Sequence, residues 1–364
     1  MIANNFLFNC SIYFQNITTH QYLSNTEGIQ NAEDDLRHPE SLLISDSQTL
    51  YTFSLETRGY KIIPVKGHSF NRIGGILQIS KSELLLSDVY LNCIYILTRH
   101  RLYSEIESVI GKCEEKGGYI DGSYGEARFD EPNKFAKSLV EKDAYYVAES
   151  MRIRKLSNGK EEVSTIFSCE GLHRHRCYFV TALSVTKKHL HIATINQIYQ
   201  YSFTTRLATL LSGGLRLGHN DVPCLLATSY SLISSMLHFD GHTMLVADIS
   251  NQNLRVIDTL SSHSSTICLP TMSSTPQTDH FYGSHTLCHI KDPISLLYSH
   301  NLKAVVVLSW SAQPIILPVD GGKQGRFYAA NEYPTIARTM SITSGILRIL
   351  RQIILTEDAS VCFD

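Results

Sequence analysis

Met244-Leu245-Val246-Ala247-Asp248-Ile249-Ser250-Asn251-Gln252-Asn253-Leu254-Arg255-Val256-Ile257 reads as two apolar strands around a short polar step, the first ending in a small residue and an acid. Val, Ile and Leu runs bounded by Ser and Asn are the signal of a tight antiparallel pair. The same unit recurs at residues 42–53, 84–97, 144–156, 190–203 and 303–317. Anchored on the acid, the copies carry Asp46, Asp88, Glu149, Thr194, Asp248 and Ser309, so two of them are degenerate. Roughly 40–60 residues separate successive anchors, which is room for four strands and the mark of a repeat architecture. A third strand follows each of the first five pairs, at residues 60–65, 106–110, 162–167, 207–211 and 264–268. A further apolar stretch precedes each pair.

Four-stranded units arranged around an axis bury their faces against one another and leave only short edges. The expectation is therefore an all-β chain forming a six-bladed β-propeller of four-stranded antiparallel blades. Residues 36–330 hold the repeats, 1–35 form an N-terminal segment and 331–364 a C-terminal one. An open ring would expose a sheet face and strand edges, so closure by a terminal strand is expected. The candidates are residues 10–15 or a tail strand around Ile353. Residues 344–355 read as a closing strand, a packing helix or a partner-docking element.

The stretch before the third unit is Gly118-Tyr119-Ile120-Asp121-Gly122-Ser123-Tyr124-Gly125-Glu126-Ala127-Arg128-Phe129-Asp130-Glu131-Pro132, leading to Tyr146-Val147-Ala148-Glu149 and Arg152-Ile153-Arg154-Lys155. This resembles the NHL repeat, in which a glycine-rich DG…G…A.F..P opening precedes a lyVaD..n.rIr strand pair. Leu245 to Asp248 with Asn251 to Arg255 is a second match, and Leu86-Ser87-Asp88 with Asn92 and Ile94 a third. The resemblance implies an NHL-type propeller. It marks Asp88, Asp121, Gly122, Gly125, Phe129, Pro132, Glu149 and Asp248 as motif positions, which we expect to be structural. Glycines at 117, 118, 122 and 125 permit positive φ in a tight crossover, Ala127 and Phe129 turn inward, and Pro132 opens the next strand. The repeat acid accepts backbone hydrogen bonds from the turn that follows it. A single tryptophan, Trp310, without a recurring WD pair separates the chain from WD40 propellers.

The chain has 364 residues, 43% hydrophobic and 18% charged, with 32 Lys+Arg against 34 Asp+Glu. A formal charge of −2 supplies no basic excess for nucleic acid, so no nucleic-acid partner is expected. The apolar run at 346–355 is interrupted by Arg348 and Arg351 and falls short of a transmembrane helix. Of nine cysteines, Cys169 with Cys177 and Cys268 with Cys288 fall in equivalent loops after the third and fifth units, and Cys113 in that after the second. The two pairs read as loop staples in an oxidising compartment. With the sequons at Asn9 and Asn16 they point to a secreted or lumenal protein, whereas residues 1–14 lack the features of a signal peptide and leave a cytoplasmic location open. The Cys169 to Cys177 segment also holds His173 and His175, but its spacing departs from common zinc sites.

No G-x-S-x-G elbow, H-E-x-x-H motif or phosphate-cradling loop occurs. The function expected is a non-enzymatic, monomeric scaffold, without a cofactor, that binds a protein or peptide through inter-blade loops. The alternative is a metal-dependent lyase resembling the peptide-amidating lyase, or a hydrolase, with its site at the central channel and zinc or calcium as the metal. Tyr124, Arg128, His219, His242 and Arg255 have side chains suited to such a site.

Overall fold

The computed structural model describes residues 31–318 except 39–40, 58, 172–178, 215–216, 219–224, 239–241, 261, 268–289, 291, 300–303 and 310–313. The first sheet is a meander of β1 (Asn31–Asp34), β2 (Ser41–Ser45), β3 (Leu50–Ser54) and β4 (Tyr60–Ile63). The second runs β5 (Ile73–Gln78), β6 (Glu83–Asp88), β7 (Cys93–Arg99) and β8 (Ser104–Ile110). A two-residue strand, β9 (Gly122–Ser123), joins the outer edge of the third sheet, which is otherwise β10 (Lys134–Lys137), β11 (Ala144–Ala148), β12 (Arg152–Ser157) and β13 (Glu162–Ser168). The fourth sheet contains β14 (Ala182–Val185), β15 (His189–Ala193), β16 (Ile198–Ser202) and β17 (Ala208–Ser212). The fifth contains β18 (Ile233–His238), β19 (Thr243–Asp248), β20 (Asn253–Asp258) and β21 (His263–Ile267). Last come β22 (Pro293–Ser299), β23 (Ala304–Ser309) and β24 (Ile315–Pro318).

All pairings within the sheets are antiparallel. The first strand of each sheet lies beside the first strand of the next, and β22 lies beside β1, so the inner strands follow one another around an axis. This is a β-propeller. Six four-stranded blades are expected from the repeats, but the described residues complete only five, and the last sheet has three strands. Both candidate closing segments, residues 10–15 and the tail around Ile353, lie outside the described residues. Among those described, the last sheet meets the first by packing, with Val306 and Leu308 against Ala32, Leu42, Ile44 and Phe53. The propeller also begins earlier than position 36, because Asn31–Asp34 is the inner strand of the first blade.

The second strand of each blade is the most buried, as in Leu84, Leu85 and Leu86 or Met244, Leu245 and Val246. A strand covered on both faces reads as a continuous apolar run, which is why these segments carry the repeat signal. Wedges between blades are filled from both sides. Between blades 2 and 3, for example, Leu77, Leu85, Ile94 and Ile110 meet Tyr145, Val147, Leu156 and Val163. At Gly74 and Gly75, β5 packs closely against the segment entering blade 3. A Cβ at these positions would stand 2.7 Å from the Pro132 carbonyl oxygen and 2.5 Å from that of Asn133.

Cys93 and Cys113 form a disulfide that ties the start of β7 to the segment following β8, across 20 residues of sequence. The equivalent-loop comparison singled out Cys113 but not its partner, since Cys93 sits inside a repeat strand. Removing both thiols as Cys93→Ala/Cys113→Ala is expected to lower unfolding free energy by about 3 kcal/mol. Urea denaturation checks this: without reductant the variant should unfold at a lower midpoint than wild type, and reductant should lower the wild-type midpoint further than that of the variant, which keeps the disulfide of Cys169. Cys169 is also disulfide-bonded, while Cys177, Cys268 and Cys288 lie outside the described residues.

Candidate functional site

In a four-stranded meander the first-to-second and third-to-fourth connections leave at one end, and the second-to-third connections and inter-blade crossovers at the other. The repeat acids lie at this second end. Asp46 accepts hydrogen bonds from the Gln48 and Thr49 amides at 2.8 and 2.6 Å and from the Tyr51 hydroxyl at 2.7 Å. Asp88 accepts from Tyr90 and Leu91 in its own turn and from Asn71 in the incoming crossover. Asp248 does the same for Ser231, Leu232 and the Asn251 side chain. Asp88 and Asp248 thus fasten a turn to a crossover, while Asp46 closes its own turn and holds Tyr51.

One position on the third strand stands out once the pairing register is known. Tyr51, Tyr95, Arg154, Tyr199 and Arg255 lie opposite Ile44, Leu86, Val147, Ile192 and Val246, so they are equivalent in blades 1 to 5. Arg154 and Arg255 are fully buried. Arg154 Nη1 donates to Glu149 Oε1 at 2.8 Å and to the Arg128 carbonyl at 2.9 Å. Its Nε and Nη2 reach Asp121 Oδ1 at 3.0 and 2.7 Å, and Nη2 also reaches the Ile120 carbonyl. Arg255 donates to the Ser229 carbonyl and stands 4.7 Å from the Tyr230 ring. Burial pushes the Glu149 carboxyl up to about 8 despite the opposing pull of Arg154. Its Oε2 has no hydrogen-bond partner. Asp121 is half exposed to water on the other side of the guanidinium and supplies the second carboxylate.

The glycine-rich stretch is not a simple crossover. Gly122, at φ +145°, pairs with Val163 on the outer edge of the third blade. Asp121 anchors there through Oδ2 to the Thr165 amide and Oδ1 to its hydroxyl. Positive φ is found at Gly122 but not at Gly117, Gly118 or Gly125. A different constraint acts at Gly117, where a Cβ would meet Asp130 Oδ1 at 2.4 Å. Ala127 and Phe129 enter the wedge between blades 2 and 3, and Pro132 is buried just ahead of β10.

This construction leaves an exposed apolar and aromatic surface on blades 2 and 3. Tyr90 is 52% exposed, Tyr119 42% and Ile120 52%. The Tyr119 hydroxyl donates to Asp130 and lies 3.1 Å from Ser150 Oγ, which itself bonds Asp130. The Arg152 guanidinium stacks on the Tyr119 ring with its carbon 3.6 Å from the centroid, and its Nη2 donates to both Glu170 carboxylate oxygens at 2.8 and 2.9 Å. Partial burial and the Asp130 bond push the Tyr119 phenol up to about 12, so it remains a neutral donor. Asn92 locks the Tyr90 turn to this segment by donating to the Glu114 and Glu115 carbonyls and accepting from the Glu131 amide. No motif in the sequence marks Tyr90, Tyr119 or Arg152 as a group; only the crossover's path assembles them.

The axis carries two further ionisable groups. Glu33 on β1 is pushed up to about 8 by burial and then by neighbouring Asp34. Burial brings Lys134 on β10 down to about 8. Both remain partly accessible to water. The other residues considered for a central site do not converge. Tyr124 is buried between blades 2 and 3 with its hydroxyl on Asn158, Arg128 bonds the carbonyls of residues 125–127, and Arg255 lies within blade 5. His242 sits at the opposite end of blade 5 from the acid turns, and His219 lies outside the described residues. Among the described residues, no three His, Cys, Asp or Glu side chains are grouped to hold a metal ion. No helix among them is long and apolar enough to cross a membrane.

No protein-family profile and no curated protein sequence matches the chain. Solved structures do. An auxiliary nutrient binding protein from Bacteroides thetaiotaomicron aligns at TM-score 0.58 with 10% identity, over 80% of this chain and 68% of that one. Its namesake from Bacteroides ovatus aligns at 0.56 with 10% identity, over 78% and 67%. A luciferin-regenerating enzyme aligns at 0.50 with 12% identity, over 78% and 84%. At such identities the likeness extends to architecture alone, and the differing activities named for these proteins make the same point. The chain is an all-β propeller of antiparallel, four-stranded blades.

Proposed function

We propose that the protein is a non-enzymatic, monomeric propeller scaffold of NHL type that binds a protein or peptide through the turn-and-crossover end of blades 2 and 3. The observation that carries this reading is the Tyr119–Arg152 stack beside Tyr90 and Ile120, held by Asp130, Ser150, Asn92 and Glu170. Tyr and Arg, with Trp, are the side chains enriched where binding energy concentrates. Fixing them before binding lowers the entropy lost on association. Disulfide bonding at Cys93, Cys113 and Cys169 supports placement in an oxidising compartment, secreted or lumenal. The ring would be completed to six full blades by a fourth strand on the last sheet. No cofactor is needed.

Panning a displayed random-peptide library against the full chain tests the reading. Selected peptides should lose about 30-fold or more in affinity with Tyr119→Ala, while the thermal midpoint stays put. Peptides that bind Tyr119→Ala and Tyr90→Ala as tightly as wild type would place the binding surface elsewhere.

A second reading, a lyase or hydrolase at the channel, rests on Glu33 and Lys134. A carboxyl and an amine both displaced towards neutrality are suited to acid–base chemistry. If Lys134 is so poised, trinitrobenzenesulfonate should modify it at pH 8 ahead of the exposed lysines; modification no faster than theirs removes this reading.

A further inference from the structure

One wedge is filled differently from the others. Three places before each repeat acid or its substitute, the second strand turns a buried side chain towards the next blade: Leu43, Leu85, Tyr146, His191, Leu245 and Val306 in chain order. Blade 4 alone puts an imidazole there, 3% exposed. The His191 ring faces His238 at the end of β18 in blade 5, with centroids 4.4 Å apart and planes inclined at 41°. Ser184 Oγ lies 2.7 Å from His238 Nδ1, so a hydrogen bond crosses the wedge beside the two rings. His189, on the same face of β15, extends the row at 5.9 Å from His191. The rest of this wedge is apolar, with Ala193 and Ile198 against Met236, Met244 and Val246.

Nothing around His191 compensates a positive charge. Its neighbours across the sheet are neutral, Ser184 on β14 and Gln200 on β16. The ionisable groups beside it are two more imidazoles, His238 and His189, with Lys188 next to His189. Among the described residues no carboxylate faces it. Its Nδ1 is buried without a hydrogen-bond partner, so a proton placed there would have no acceptor. Burial and then the two neighbouring imidazoles hold the ring down to about 3, and the Gln200 bond offsets only part of this.

We propose that the wedge between blades 4 and 5 is an acid-operated seam: below about pH 6 the imidazole row takes up protons only by parting the two blades, while the wedges filled by Leu85, Tyr146 and Leu245 stay shut. Buried histidine clusters switch interfaces in this way because the charged ring must be rehydrated or paired, and here no pairing group is at hand. In the opened wedge His191 returns to its ordinary 6.5. Between that value and about 3 the open form binds more protons than the closed one, so closure is fully stable above pH 6.5 and weakens as pH falls. Glu33 and Glu149, both pushed up to about 8, act in the opposite sense and do not loosen blades 1 and 3 over that range. The seam stands apart from the Tyr119 surface of blades 2 and 3.

Amide hydrogen exchange of the full chain at pH 7 and pH 5 tests it, with rates corrected for the intrinsic pH dependence of exchange. Protection in β15 and β18 should fall about 20-fold between the two, as one proton taken up at 6.5 on opening requires. Protection in β6 and β7 of blade 2 should fall less than about threefold. His191→Leu, which installs the residue that blades 1, 2 and 5 carry at this position, should abolish most of the fall in blades 4 and 5. His238→Gln, whose amide still bonds Ser184, should lessen it. An equal fall in every blade, no fall in β15 and β18, or an undiminished fall in folded His191→Leu overturns the proposal. Should His191→Leu not fold, an undiminished fall in His238→Gln overturns it.

Discussion

Arg154→Ala is expected to destabilise the protein by about 3–5 kcal/mol, the range for removing one member of a buried ion pair. The guanidinium is fully buried and bonds Glu149, Asp121 and the carbonyls of Ile120 and Arg128. Truncation takes the donor from buried Glu149 and from the Arg128 carbonyl, while Asp121 keeps Thr165 and the Ile120 carbonyl keeps the Arg128 amide. Urea denaturation measures the loss, and a change below about 1 kcal/mol would show that water replaces the guanidinium without penalty. Glu149→Gln is expected to be mild by comparison. Burial already favours the neutral carboxyl, and an amide oxygen still accepts from Arg154. The two variants also differ with pH. A carboxyl raised from 4.5 in the unfolded chain to about 8 in the folded one binds more protons when folded between those values. Its contribution to stability is complete below pH 4.5 and falls as pH rises through 8, with a slope approaching about 1.4 kcal/mol per pH unit. Glu149→Gln should remove that slope. A wild type and a Gln variant with identical pH profiles would show instead that Glu149 is ionised beside Arg154 throughout.

The equivalence of Arg154 with Arg255 and with Tyr51, Tyr95 and Tyr199 explains how much of this protein could be read from its sequence. Second strands are buried on both faces, so their apolar runs and terminal acids repeat visibly. Third strands alternate, and counting from the acid misaligns them, because the turns after Asp88 and Asp248 are two residues longer than those after Asp46, Glu149 and Thr194. Only the pairing register shows that one cross-strand position reaches back under the acid turn in five blades. Tyr51 and Arg154 both end on the acid itself, while Tyr199 turns to Gln197 where the acid has been replaced by Thr194. The exposed surface at Tyr119 was hidden for another reason: its members come from a second-to-third turn, a crossover and the start of a third strand, and they meet because β9 draws the crossover outwards to the edge of blade 3. Cys93 escaped notice because a buried thiol in a strand looks like any small apolar residue until its partner is located.

Phe129→Ala is the substitution expected to couple fold and surface most directly. The ring is 1% exposed among Leu77, Leu85, Ile94 and Ile110 of blade 2 and Val147, Leu156 and Val163 of blade 3. It also closes on Gly111, where φ is +87° and a Cβ would come within 2.7 Å of the ring. Truncation opens a cavity in a wedge bounded by two rigid sheets that have little freedom to collapse, so a loss of about 3–5 kcal/mol is expected. Phe129→Leu should recover more than half of it. The ring anchors the segment that holds Tyr119, since the Phe129 carbonyl accepts the Gly118 amide at 2.8 Å and its neighbour Asp130 accepts the Tyr119 hydroxyl. Amide hydrogen exchange over residues 117–131 should therefore quicken in Phe129→Ala beyond the change in the outer strand of blade 5, and peptide binding should weaken although no residue of the binding surface has been altered. Because Arg154 lies 5.3 Å from the ring, the double variant Phe129→Ala/Arg154→Ala should lose less than the sum of the two single losses. A uniform rise in exchange across all blades would mean that the crossover is merely one more part of a single cooperative core. Acceleration confined to residues 117–131 would instead make Phe129 the bolt that fastens the binding surface to the propeller.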